Sequence, residues 1–146
     1  SICMSPIPVN PLLNRLLAIA GCSFPQYLQF ARPYIPEGRD NFMETIHAIV
    51  LDQNGLAERI SQMVLDGKAL PRSGDFPIEY TDTHDLGIDF LVNMAITYQQ
   101  QDIQAIGELA NQLQLAPAAK SLAEEALGMA KGHLESLQEL VEQEAL

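Results

Sequence analysis

The chain has 146 residues, with 19 acidic and 8 basic side chains and a net charge of −11. That length suffices for one domain burying roughly 70% of the surface its unfolded chain exposes, so neither a metal nor a disulfide is needed to build a core. The charge opposes nucleic acid and anionic membranes, whose recognition needs clustered Lys or Arg, and favours cationic partners or metal ions.

Residues 1 to 10 carry Pro6 and Pro8 with no positive region or long apolar stretch, and read as an N-terminal arm, not a secretion signal. Cys3 and Cys22 make no disulfide framework, so a reducing cytoplasm is expected, with Cys22 as a small core residue. No apolar run reaches the 18 or so residues that a membrane span requires. Four segments then carry apolar residues at helical spacing, about 11–31, 40–66, 83–114 and 117–145. Pro25 should kink the first, and Pro33, Pro36 and Gly38 close it. Asp40 can cap the second and Gly67 ends it; Thr81 or Thr83 can cap the third; Pro117 suits the first turn of the fourth.

Short links make the first and second helices one antiparallel hairpin, and the third and fourth another. The stretch 67–82 between the hairpins is rich in Pro, Gly and Asp. From residue 68 it could reach about 50 Å at ~3.3 Å per residue. The second helix is about 40 Å long at ~1.5 Å per residue, so the stretch can run back along its full length as a crossover. The expected fold class is all-α, a single domain over 11–146.

The first helix, with Leu13, Asn14, Leu17, Gln26, Tyr27, Ala31 and Arg32, resembles the first helix of bacterioferritins in the ferritin-like superfamily. Leu56-Ala57-Glu58-Arg59-Ile60 is similar to the segment that follows the ligands of the second helix, Asp85-Leu86 to a pair in the third, and Gly132-His133-Leu134-Glu135 with Leu137-Gln138-Glu139-Leu140 to the stretch around the last iron histidine. The resemblance implies a ferritin-like four-helix bundle with one long crossover, and a di-iron centre of inward glutamates and histidines. It also implies that this chain has lost that centre. Ala20, Ile49, Leu91 (or Ala95) and Ala130 stand where the glutamates belong, and Asp52 where a histidine does.

A literal Glu44-Thr45-Ile46-His47 resembles an iron-binding motif, but Glu44 points away from the stripe of Phe42, Ile46, Ile49, Val50, Ala57, Ile60 and Val64, with His47 at its edge. Both are expected at the surface, as is Asp89. In the third helix the inward stripe runs His84, Ile88, Leu91, Ala95, Tyr98, Asp102 and Leu109. The inward polar residues are therefore Gln53, Tyr98, Asp102 and His133, with His133 placed to bond Tyr98 or Asp102. Its role stays open between a satisfied core histidine, a small-molecule contact and a metal ligand grouped with Asp102 and Asp52. Ala119, Ala123, Ala126 and Ala130 allow close helix packing or an apolar pocket. Glu124, Glu125, Glu135, Glu139, Glu142 and Glu144 form a solvated acidic face.

No phosphate-binding loop, nucleophile elbow or Cys-x-x-Cys is present. The expected function is a non-catalytic scaffold or interaction protein, dimeric, with exposed apolar residues near Phe76 and Tyr80 supplying an interface to an unnamed protein partner. The alternatives are an oxidase with iron or another divalent metal rebuilt around His133, and a carrier of a small apolar ligand.

Overall fold

The computed structural model describes residues 8–83 and 86–145, and the side chains of those residues up to Gln143. His84 and Asp85, singled out above, and residues 1–7 of the expected arm lie outside the described residues, as does the side chain of Glu144. The described chain is all helix and connection: α1 Val9–Gly21, α2 Phe24–Ala31, α3 Asp40–Asp66, a 3-10 helix Ile78–Thr83, α4 Ile88–Gln112 and α5 Pro117–Ala145. Among the described residues no helix is long and apolar enough to cross a membrane.

Several boundaries differ from expectation. Helix α1 starts at Val9, inside the expected arm, because Pro11 sits in the first turn, where a missing N–H removes no helical bond. The expected kink at Pro25 is a full break. Ser23 is extended and its hydroxyl accepts from the Gln26 amide at 3.3 Å, so it caps a new helix in which Pro25 occupies the second position. Asp40 is the first residue of α3 and not its cap, which is Arg39. Neither threonine caps α4. Thr81 and Thr83 turn their hydroxyls to the carbonyls of Ile78 and Tyr80, stabilising the 3-10 helix, and α4 begins five residues later than expected, after an extended Gly87.

Side-chain pairs fix the directions of the helices. Gln26 to Asn54 and His47 to Gln29 match rising numbers in α2 with falling numbers in α3, and Asn10 to Gly67 at the end of α3 extends the same antiparallel order to α1. Asn41 to Gln143, Asp52 to His133 and Arg59 to Glu125 do the same for α3 and α5. The turn at 113–116 folds α5 back on α4. Helices α3 and α4 therefore run parallel, and residues 67–87 must travel back along their length. This strap is fastened to α1. Asn10 donates to the Gly67 carbonyl at 3.0 Å; Asn14 donates to the Leu70 carbonyl and accepts from the Arg72 amide at 2.8 Å; the Cys22 thiol lies 3.4 Å from the Ser73 and Gly74 carbonyls. A side chain at Gly67 would put its Cβ 2.5 Å from the Asn10 amide oxygen, so the Asn10 amide would have to swing aside and give up its bond to the Gly67 carbonyl.

The interior falls into two apolar clusters. Leu12, Leu16, Ile60, Leu109, Leu113 and Leu122 belong to one. The other is aromatic, with Phe24 and Tyr27 stacked at 6.4 Å and Tyr80 edge-on to Phe24 at 5.1 Å. Tyr80 is buried there and Phe76 is half-buried, while the exposed apolar residues expected near them are Ile78 and Phe30, whose ring lies 5.9 Å from that of Phe76. Each helical rod passes from one cluster to the other at a polar residue: Ser23 between α1 and α2, Gln53 in α3, Gln99 and Asp102 in α4, His133 in α5.

Candidate functional site

That polar layer surrounds a small central cavity of about 20 Å³, lined by Gln53, Gln99, Asp102 and His133 together with Leu16, Ala20, Ala130 and other apolar side chains. A volume of that size accommodates one water-sized species. Ala20 and Ala130, two of the positions where the resemblance expects iron-binding glutamates, form part of its wall. Ile49, Leu91 and Ala95 are buried in the aromatic cluster beside it. The alanine row Ala119, Ala123, Ala126 and Ala130 is buried throughout, which permits the close approach of α5 to its neighbours.

Helix periodicity delivers the polar groups. Gln99 and Asp102 are three residues apart and share one face of α4. Gln99 is 2% exposed. Its Nε2 donates to the Ala130 carbonyl at 3.0 Å, while its Oε1 is buried with no hydrogen-bond partner among the described residues. Leaving such an acceptor unmet costs about 1–3 kcal/mol. Gln53 accepts from the Ser23 hydroxyl at 2.8 Å, which ties the helix break to α3. Asp102 has no hydrogen-bond or ion-pair partner among the described residues, and burial pushes its carboxyl up to about 7.

His133 bonds neither Tyr98 nor Asp102. Its Nε2 lies 2.8 Å from Asp52 Oδ2, because the antiparallel pairing of α3 and α5 sets residue 52 beside residue 133. Asp52 is over half exposed, so the pair spans from the layer to a groove between α3 and α5 that also carries Glu44 and Glu139. The three candidate metal ligands are thereby divided: Asp52 and His133 are partners, and Asp102 faces the cavity from another helix. Among the described residues no three His, Cys, Asp or Glu side chains are grouped to hold a metal ion. Glu44 and His47 are at the surface, His47 bonded to Gln29, and Asp89 is exposed and paired with Arg39 at 3.0 Å.

A second, outer pocket of about 210 Å³ opens beside the cavity, between α1, the strap and α4, and shares Ile19 and Asp102 with it. Ala18, Cys22, Ser23, Asp75, Pro77 and Tyr80 complete its wall. Cys22 is half-buried, not a core residue, and burial raises its thiol above the usual range. The Tyr80 hydroxyl is raised too, first by burial and then by the charge of Asp102.

Two members of the layer escape a reading of the sequence alone. Tyr98 had been expected inward, yet it is only half-buried and Gln99 takes the inner position. The spacing Leu91, Ala95, Gln99, Asp102, Ile106 and Leu109 already carries this signal. Ser23 was hidden by the assumption of one continuous first helix. No protein-family model, curated protein or solved structure matches the chain.

Proposed function

We propose that the chain is a ferritin-like four-helix bundle, with α1 and α2 as one broken rod, in which a di-iron centre has given way to apolar packing and a thin polar layer. It acts without catalysis as a scaffold or interaction protein, dimeric and cytoplasmic. The observation that carries this reading is the burial of Ala20, Ile49, Leu91 and Ala130, each 5% exposed or less, the two alanines in the wall of a cavity with room for one water-sized species and the other two in the adjoining aromatic cluster. Hydrocarbon at those positions supplies none of the hard oxygen ligands that a di-iron centre requires. The antiparallel pairings and the long return between α3 and α4 support the bundle topology. The solvated acidic face of α5 supports a surface role with a cationic or neutral protein partner.

Elemental analysis of the full chain and of His133→Ala, after growth and dialysis with iron, manganese and zinc, tests the reading. The expected result is no stoichiometric metal in either protein. One metal per chain in the parent, lost in the variant, overturns it in favour of a metal-dependent oxidase. Light scattering across a concentration series tests the dimer, and a monomer throughout refutes that part.

A further inference from the structure

Two acceptors line one cavity inside this protein. Asp102 and Gln99 project from one face of α4 into the same cavity, and among the described residues neither the Asp102 carboxylate nor Gln99 Oε1 has a hydrogen-bond partner. No Lys or Arg lines the central cavity or the outer pocket that adjoins it through Ile19 and Asp102. The ionisable groups facing this space are Asp102, Asp75, Tyr80, Cys22 and His133, and His133 turns its Nε2 to Asp52. A fully buried acceptor such as Gln99 Oε1 is satisfied by an N–H or O–H donor, and a half-buried carboxylate such as Asp102 by a cation.

The donor set discriminates among cations. A divalent metal calls for six or more oxygens or a closed set of mixed ligands, whereas here one carboxylate and one unpartnered amide oxygen line the cavity. An ammonium group asks less, since it is a directional donor of up to three N–H bonds. The shape agrees. The inner cavity, about 20 Å³, accepts a head group of one heavy atom, and the outer pocket, about 210 Å³, offers Ala18, Ile19, Pro77 and the Tyr80 ring to a hydrocarbon tail. We propose that the cavity and outer pocket together form a binding site for a small organic primary ammonium ion, its head bonded to the Asp102 carboxylate and Gln99 Oε1 and its tail held between α1 and the strap. Asp75 at the pocket wall adds attraction for the cation and repels anions.

Titration of the full chain with n-butylammonium chloride at pH 8, followed by backbone amide NMR and calorimetry, tests the site, with n-butanol and potassium chloride as controls. Saturable binding is expected from the amine alone, with shifts centred on Ile19, Gln99 and Asp102. Asp102→Asn, which keeps the volume and is expected to fold, should weaken it about tenfold or more, as the loss of a charged hydrogen bond does. Gln99→Met should weaken it less. Binding should fall by about tenfold per pH unit below 7 as the carboxyl takes up its proton. Equal binding of butanol, binding of potassium in place of the amine, an undiminished affinity in Asp102→Asn, or no saturable binding at all overturns the proposal. The last result would mean that the two acceptors are met by water alone.

Discussion

Replacing Asp102 by Asn should stabilise this protein, and by an amount that depends on pH. The carboxyl sits in the polar layer without a partner, and burial lifts it from 3.8 to about 7. An unfolded chain releases this proton near pH 4, whereas the folded chain holds it until about pH 7, so between these limits the folded state binds more protons and stability falls as pH rises. Three pKa units at 1.36 kcal/mol each put the full loss on the order of 4 kcal/mol, reached above pH 7. Asn occupies the same volume, hydrogen-bonds in the same plane and never ionises. Urea unfolding of parent and variant at pH 4, 5.5, 7 and 8 should therefore give midpoints that nearly coincide at pH 4 and diverge steadily to pH 8, with the variant ahead. At about 2–4 °C per kcal/mol for a chain of this size, the melting temperature at pH 8 should rise by roughly 10 °C. Other carboxylates titrate equally in both proteins and cancel in the difference. A gap that does not change with pH, or a variant less stable at pH 8, would refute the argument that a desolvated, unpaired carboxylate occupies this layer.

Phe24→Ala removes a fully buried ring that contacts Tyr27, Tyr80 and Tyr98, and should cost about 3–5 kcal/mol in chemical denaturation. Ser23→Ala removes both the cap of α2 and the donor to Gln53, so a loss of about 2 kcal/mol is expected, and Ser23→Thr should recover most of it. Ala20→Glu places a carboxylate in the cavity wall with no cation to meet it, and should lower stability by about 3 kcal/mol or more at pH 8 and by much less at pH 4. Chelation by EDTA should leave the melting temperature of the parent unchanged, and a fall would count against the metal-free reading.

The long rods were legible because period dominates them. Helix α3 spans Asp40–Asp66 and α5 begins at Pro117, as the apolar spacing and the punctuation by Gly67 and Pro117 imply. Local competition decided the misread boundaries: Thr81 and Thr83 serve a 3-10 helix, and Ser23 with Pro25 starts a helix where periodicity suggests continuity. At the site, Asp102, Gln53 and His133 could be found because a polar residue interrupts an apolar stripe. The partner of His133 could not, since it depends on the register between α3 and α5, which no single helix encodes. Gln99 was lost by one position, about 100° of helix rotation, the difference between a half-exposed and a fully enclosed side chain.

The strap from Gly67 to Gly74 is held to α1 largely through its main chain, with Asn10, Asn14 and Cys22 addressing carbonyls and an amide, and Ala69 adds an apolar contact with the core. Much of the information that holds this part of the connection is thus written in the helix, beside the apolar anchor of Ala69. Substitutions of the side chains at Leu70 or Arg72, which take no part in these bonds, should be well tolerated, whereas Lys68 has a φ of 65° and a β-branched residue or proline there should be strained. Exchange of the one side chain at Asn14 should release the Arg72 amide and the Leu70 carbonyl together, loosening the far wall of the outer pocket from a position that ordinary inspection would class as helix surface.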